Sequence, residues 1–322
     1  MIVFIATRGN GYTLQSLAKG TFGVPAPKFR ITHYERLFGA RRVPRATYIF
    51  GDLERLAPWE LRLASDLHRS MAMAGLRCLN DPARAMARVE LLTALYNATI
   101  NPFAVMRADA APRPRQFPVF IRSESDHAKP QAELYHSQEQ LDLALAAIKK
   151  SGTPLHGLLV VEQCAERRSD TLWAKWGTWR IGGRMIVEHI AVDDSWVVKT
   201  GDHDKVTDAI AGEEHDAVSS NCFAPELQRA FDIGGIEFGR GDHTIVRGRT
   251  VIYEINTNPY LGPFVPDRRL KRRQAQIIAR AGIAEALAQI DTSEGGRIPL
   301  PGTPMRRRIR WWRPGFVTPR RP

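Results

Sequence analysis

Apolar and polar positions alternate in short blocks along this chain, and the blocks divide it into lobes. Ile2 to Ala6 is an unbroken apolar run of strand length; after it come the Arg8-Gly9-Asn10-Gly11 turn and a more polar stretch with helical spacing around Leu14 and Leu17. Ala46 to Phe50 repeats the strand pattern and ends at Gly51-Asp52, so the chain opens as a small α/β lobe with its loops at one sheet edge. Leu61, Leu63, Ala64 and Leu67 give Pro58 to Gly75 a helical period, and Asn80-Asp81-Pro82 predicts an N-cap and a first-turn proline for a helix reaching about Asn97. Prolines cluster from Pro102 to Pro118 around a linker at 109–116, and Phe117 to Arg122 starts a second lobe. Strand patterns then recur at Gly157 to Glu162, Trp173 to Ile181, Arg184 to Val192 and Ser195 to Lys199, with a helix near Ser137 to Lys149. No internal repeat is visible.

The last β unit, Gly234 to Pro259, carries the chemistry. Two strand-like runs flank Arg247-Gly248-Arg249 and predict a hairpin. Glu254 and Asn256 are two apart and share a face. Asp242 joins that face only if it pairs opposite Glu254, which requires an odd-length loop or a bulge in the Gly239 to Gly241 stretch. Two carboxylates and an amide oxygen would then converge as hard ligands suited to Mg²⁺ and attached phosphates. The plain alternative is a solvated polar face. The flanking Ile252, Tyr253 and Ile255 argue against it, because a partly buried strand makes uncompensated carboxylates costly.

Composition changes this picture little. With 322 residues, 43% hydrophobic and 25% charged, the chain has globular composition and length for two or three lobes. The formal charge is +12, but seven arginines and no acid fall in 304–322, so the body is only mildly basic and the nucleic-acid reading weakens. Cys78, Cys164 and Cys222 are odd in number and lack CxxC spacing, which excludes a disulfide framework or structural zinc site and points to a reducing compartment. There is no basic leader and no run of ~18 apolar residues. The expectation is a cytoplasmic protein.

The words Gly239-Arg240-Gly241-Asp242 and Glu254-Ile255-Asn256-Thr257-Asn258-Pro259 resemble the metal-binding strands of the ATP-grasp superfamily, which includes D-alanine:D-alanine ligase and ribosomal-protein glutamate ligase. The resemblance implies an α/β fold: a small N-terminal lobe (1–85), an ATP-grasp domain (86–290) whose nucleotide and metal-bearing lobes sandwich ATP, and a basic tail (291–322). It implies that Asp242, Glu254 and Asn256 hold two Mg²⁺, or Mn²⁺ in their place, and that Arg240 contacts the transferring phosphoryl group. Weaker matches extend from about Asn80. Arg88 and Arg122 stand where lysines usually reach the nucleotide. Glu162-Gln163-Cys164-Ala165 resembles the hinge that reads adenine, with Glu162 as partner of the exocyclic amine. Asp170 falls near the ribose-binding acid, and Arg180 and Lys199 near the phosphates. Arginine for lysine exchanges a point charge for a planar fork. The loop Ser123 to Lys129 lacks the glycines that would let backbone amides cover phosphates.

The activity implied is an ATP-dependent carbon–nitrogen ligase forming ADP, with an amino acid or peptide as substrate. A kinase acting on a hydroxyl and a non-catalytic ATP-binding module are the alternatives. Outside the family frame, Arg88 and Arg122 read as surface or ion-paired arginines, Glu162 as a strand end and Cys164 as a packed thiol. Trp173, Trp176 and Trp179 read as core packing rather than a stacking platform. His243 has no assigned role. The arginine- and tryptophan-rich tail suits an anionic membrane surface, an RNA, an acidic protein or a solubilising end, and 268–273 suits an anionic substrate. Relatives are often dimers, so an oligomer is compatible.

Overall fold

Ile2–Ala6 forms β1, buried at every position, as an apolar run must be when both faces of a parallel strand are covered. It is followed by α1 (Gln15–Lys19), β2 (Phe29–His33), α2 (Tyr34–Phe38), β3 (Arg42–Pro44), β4 (Thr47–Phe50), α3 (Pro58–Met73) and β5 (Cys78–Leu79). The computed structural model describes residues 1–125, 133–292 and 295–303. Strands β2, β1, β4 and β5 lie side by side in that order, all parallel. The loops after β1 and β4 therefore leave the same carboxyl edge, where open α/β sheets bind ligands.

Asn80 departs from its expected N-cap role. It has φ of 62° and a fully buried side chain. Its Nδ2 donates to the carbonyls of Phe50 and Phe238, and its Oδ1 accepts the N–H groups of Glu237 and Phe238, at 2.8–3.0 Å. All its hydrogen-bonding capacity is spent fastening the first lobe to a distant strand, and helix α4 begins only at Arg88 (Arg88–Asn97). The second lobe continues with β6 (Val105–Arg107), β7 (Val119–Ser123), α5 (Gln138–Lys150) and β8 (Leu158–Glu162). Its sheet is antiparallel, in the order β6-β8-β7.

The third lobe comprises β9 (Trp173–Ile181), β10 (Arg184–Asp193), α6 (Asp208–Ser220), α7 (Ala224–Gly234), β11 (Phe238–Val246), β12 (Arg249–Asn256), α8 (Leu270–Ile290) and β13 (Arg297–Pro299). Strands β10, β9, β11 and β12 form an antiparallel sheet in that order. Ser195 to Lys199 is bend and coil, not the predicted strand. Ile283, Leu287 and Ile290 of α8 share a core with Ile2 and Phe4 of β1, and β13 pairs antiparallel with β3. The Arg- and Trp-rich part of the tail, 304–322, and most of the Ser123 to Lys129 loop lie outside the described residues.

The β11–β12 hairpin reaches its register by a different route from either one expected. Val246 pairs with Arg249 around a two-residue turn, Arg247-Gly248, whose φ values of 50° and 72° suit a primed hairpin turn. An even loop alone would set Asp242 opposite Tyr253. Instead His243 pairs with Ile252 and Asp242 with Glu254, so Tyr253 is an inserted bulge residue on β12.

Candidate active site

A cleft of about 320 Å³ is lined by residues of both antiparallel sheets and of the first lobe. One end is apolar and aromatic: Phe103, Phe120, Val161, Trp173, Trp196 and Tyr253 line it, with the Phe120 and Trp196 rings 4.8 Å apart. The backbone run Gln163-Cys164-Ala165 borders this end, and burial pushes the Cys164 thiol up to about 12, so it is no nucleophile at neutral pH.

Polar chemistry fills the middle. Asp242 and Glu254 pair across the ladder and Arg240 pairs with Asn256, so all four share one sheet face. Lys175 lies on that face as well, because Gly177 pairs with Asp242 and Lys175 is two residues away on β9. Lys175 Nζ donates to Asp242 Oδ2 at 2.8 Å, and Arg240 Nε to Oδ1 at 3.1 Å. Burial would raise the Asp242 carboxyl, but these two cations outweigh it and hold it below the usual carboxylate range. On Glu254, the Oε2 atom accepts from Arg88 at 2.6 Å and from Arg122 at 3.1 Å. Burial, together with Arg88 alongside, pulls Arg122 below the usual arginine value despite Glu254. A second bulge, at Glu188 on β10, carries that carboxylate to Arg240 (3.3 Å), His189 (3.2 Å) and the Trp179 indole N–H (2.8 Å). Burial opposes ionisation of Glu188, yet His189 and Arg240 bring it down to about 2.

These donors fit a metal–nucleotide. Among the described residues no group of three or more His, Cys, Asp or Glu side chains is placed to hold an ion. Asp242, Glu254 and the Asn256 side chain, whose Oδ1 accepts the Asn258 N–H at 2.8 Å, are oxygen donors of the kind a hard cation such as Mg²⁺ takes.

The structure brings Arg122, Glu162, Gln163, Cys164, Ala165, Lys199, Arg240, Asp242, Glu254 and Asn256 to this one cleft, and Arg88 reaches it through Glu254. Two candidates stand elsewhere. Arg180 follows Trp179, so strand alternation turns it to the opposite face, where it pairs with Asp232 of α7 at 2.7 Å. Asp170 is exposed outside the cleft lining, where its carbonyl accepts from Arg167. A third candidate is in place but engaged: the Glu162 carboxylate, 2% exposed, accepts backbone N–H groups of Ala104 (2.8 Å), Arg115 (2.7 Å) and Gln116 (3.2 Å). It staples the linker to the sheet instead of facing the cleft as an unused acceptor. The 268–273 cluster faces α6, with Arg272 against Glu214 (3.2 Å) and Asp267, and is absent from the cleft lining. His243 is fully buried against Thr178 on the reverse face, and burial pushes it down to about 3. Trp176 and Trp179 are core residues as expected, while Trp173 lines the cleft.

Sequence reasoning missed Lys175, Arg55, Tyr12 and Tyr260, all of which line the cleft. Lys175 was within reach, since it shares the parity of Trp179, but only with the β9–β11 register in hand.

No protein-family model and no curated protein matches the chain. Among solved structures it is similar to a RimK domain protein, ATP-grasp, from Sphaerobacter thermophilus DSM 20745, with TM-score 0.50 and 15% identity over 91% of this chain and 99% of that one. A D-alanine–D-alanine ligase from Bacillus anthracis gives TM-score 0.49 and 12% identity over 90% and 95%. The first likeness is one of fold: the chain has the α/β ATP-grasp fold that its hairpin motif implied.

Proposed function

We propose that this protein is an ATP-grasp ligase that activates a carboxylate with Mg-ATP and joins it to an amine. The observation that carries the reading is the pairing of Asp242 with Glu254, with Asn256 and Arg240 on the same face, in a cleft whose far end is an aromatic slot. The adenine ring enters that slot, and the backbone of Gln163–Ala165 meets its edge. Arg122, Lys175 and Lys199 face the phosphates. Asp242, Glu254 and Asn256 would hold Mg²⁺, which supplies neutralisation of the phosphate oxygens.

A substrate carboxylate oxygen attacks the γ-phosphorus in line, the bond to the β-bridging oxygen breaks, and ADP leaves. Arg240, fixed by Asp242 and Glu188, stabilises the charge on the moving phosphoryl group. The amine then attacks the acyl carbon, inorganic phosphate departs, and the amine proton goes to solvent. No side-chain nucleophile is needed. An amino acid or peptide is the substrate class this chemistry serves.

Incubation with Mg-ATP, hydroxylamine and a pool of small acids tests the reading by mass spectrometry. A hydroxamate with ADP and phosphate, lost in Glu254→Gln, is expected. A stable phosphoester would identify a kinase instead, and ATP binding without either product a non-catalytic module.

A further inference from the structure

With the nucleotide in the aromatic end as proposed above, the end of the cleft formed by the first lobe is left for another substrate. There β4 gives way to the loop Gly51–Arg55, and Asp52 adopts φ of 60° with no exposed surface. Asp52 Oδ2 accepts the Thr7 N–H at 3.0 Å and the Thr7 hydroxyl, while Oδ1 accepts Arg55 Nη1. One nitrogen of the Arg55 guanidinium is thereby fixed. Among the described residues no other protein group engages it, so the Nε–Nη2 edge stays open in a side chain that lines the cleft.

The loop is tied to the residues that follow β12. Thr257, next to Asn256, accepts the Leu53 N–H at 3.2 Å and donates to Glu54 at 2.7 Å. Asn258 accepts from the Thr13 hydroxyl at 2.5 Å and donates to the Asn10 carbonyl at 3.1 Å, which ties this end of the cleft to the segment after β1. Tyr12 and Tyr260, each 56% exposed, complete this end with ring centroids 6.5 Å apart. The acids that line the cleft, Glu162, Asp242 and Glu254, belong to its other regions.

We infer that Arg55 binds a spectator carboxylate, one that is not activated, on a substrate whose adjoining apolar part lies against Tyr12 and Tyr260. The side edge of a guanidinium presents two parallel N–H donors that match a carboxylate's two oxygens. Asp52 acts as the positioning residue. The inference rests on the ligase reading for its link to turnover, and it narrows the substrates to those bearing a second acid group. Either the amine or the activated acid can carry that group.

Calorimetric titration with and without a non-hydrolysable ATP analogue and Mg²⁺ tests it. The probes are L-phenylalanine against L-phenylalaninamide, for an acceptor carboxylate, and glutarate against glutaramate, for a donor one. At least one acid is expected to bind about 10-fold or more tighter than its amide, a preference that Arg55→Met reduces to within about twofold while analogue affinity is unchanged. Arg55→Lys should keep only part of it. Equal binding of acid and amide in both pairs, or a preference that survives Arg55→Met, overturns the assignment. Failure of the analogue to bind overturns the ATP reading alone, because the acid-to-amide ratio is read in either condition.

Discussion

Asp242 stands opposite Glu254 because Tyr253 is one residue more than the β11–β12 ladder can pair. Like charges directly across a ladder repel. Here Lys175 and Arg240 neutralise one carboxylate, and Arg88 and Arg122 the other. The bulge thus creates a place where two acids face each other, and the surrounding cations make it tolerable. Under the proposed function, Lys175, Arg122 and Arg240, which line the cleft, are the cations available to triphosphate oxygens.

Glu162 is predicted to be structural. Glu162→Gln halves the acceptor capacity facing three backbone N–H groups and should lower unfolding free energy by about 1–3 kcal/mol in urea denaturation. ATP affinity should change by less than about threefold. A tenfold loss of ATP binding at unchanged stability would return this carboxylate to the adenine amine.

Lys175 and Arg180 should separate cleanly in nucleotide binding. Lys175→Met is expected to weaken Mg-ATP by about 10–100-fold, the loss of one charge-assisted contact. Arg180→Met, on the face toward α7, should alter it by less than about twofold. Equal effects in fluorescence titration would contradict the strand parity described above.

Gly177 and Gly51 are both crowded, with different consequences. A Cβ at Gly177 would come within 3.1 Å of Arg240 Cδ and His189 Cε1, atoms of side chains that can give by a few tenths of an ångström. Gly177→Ala should cost less than about 1 kcal/mol in stability and roughly 10–100-fold in kcat by displacing Arg240. At Gly51 a Cβ meets the Phe4 ring at 2.2 Å and the Thr257 carbonyl at 2.9 Å. Gly51→Ala should cost about 2 kcal/mol or more. Thermal melts beside kinetics distinguish the two patterns.

Glu188 should leave a signature in acid. Its folded pKa lies near 2 against 4.5 for the free side chain. Between those values the unfolded chain carries the extra proton, so stability supplied by Glu188 is full above about pH 4.5 and is lost as pH falls toward 2. Glu188→Gln should flatten the pH dependence of the unfolding free energy across that window. A slope identical to wild type would show that Glu188 does not ionise as its contacts imply.

Much of the site was legible because its chemistry is local. The spacing of Glu254 and Asn256 puts them on one face whatever surrounds them, and the apolar neighbours mark that face as partly buried. The partner of Asp242 was not legible in the same way: a three-residue loop and a bulge at Tyr253 satisfy the same parity, whereas a bulge at Gly239 to Gly241 lies beyond Asp242 from the turn and leaves its partner unchanged. Arg180 failed for want of a register, since a one-residue offset moves a side chain through the sheet. Asn80 carries every mark of an N-cap, yet tertiary contacts 157 and 158 residues away claim its side chain. Strands β2, β3 and β5 are too short or too mixed for alternation to show, and the return of β13 to β3 is invisible to any local pattern.

That return has a consequence for how the molecule is made. The first lobe obtains part of its core from Ile283, Leu287 and Ile290, and the partner of β3 from Arg297–Pro299. On a ribosome, domains generally fold in the order they emerge. Here α8 and β13 emerge well after β1 to β5, so the apolar strands of the first lobe wait for them. Trp179, Ile181 and Phe238 of the β10-β9-β11-β12 sheet lie in that same core, so a single helix, α8, completes the first lobe and the wall of the cleft together.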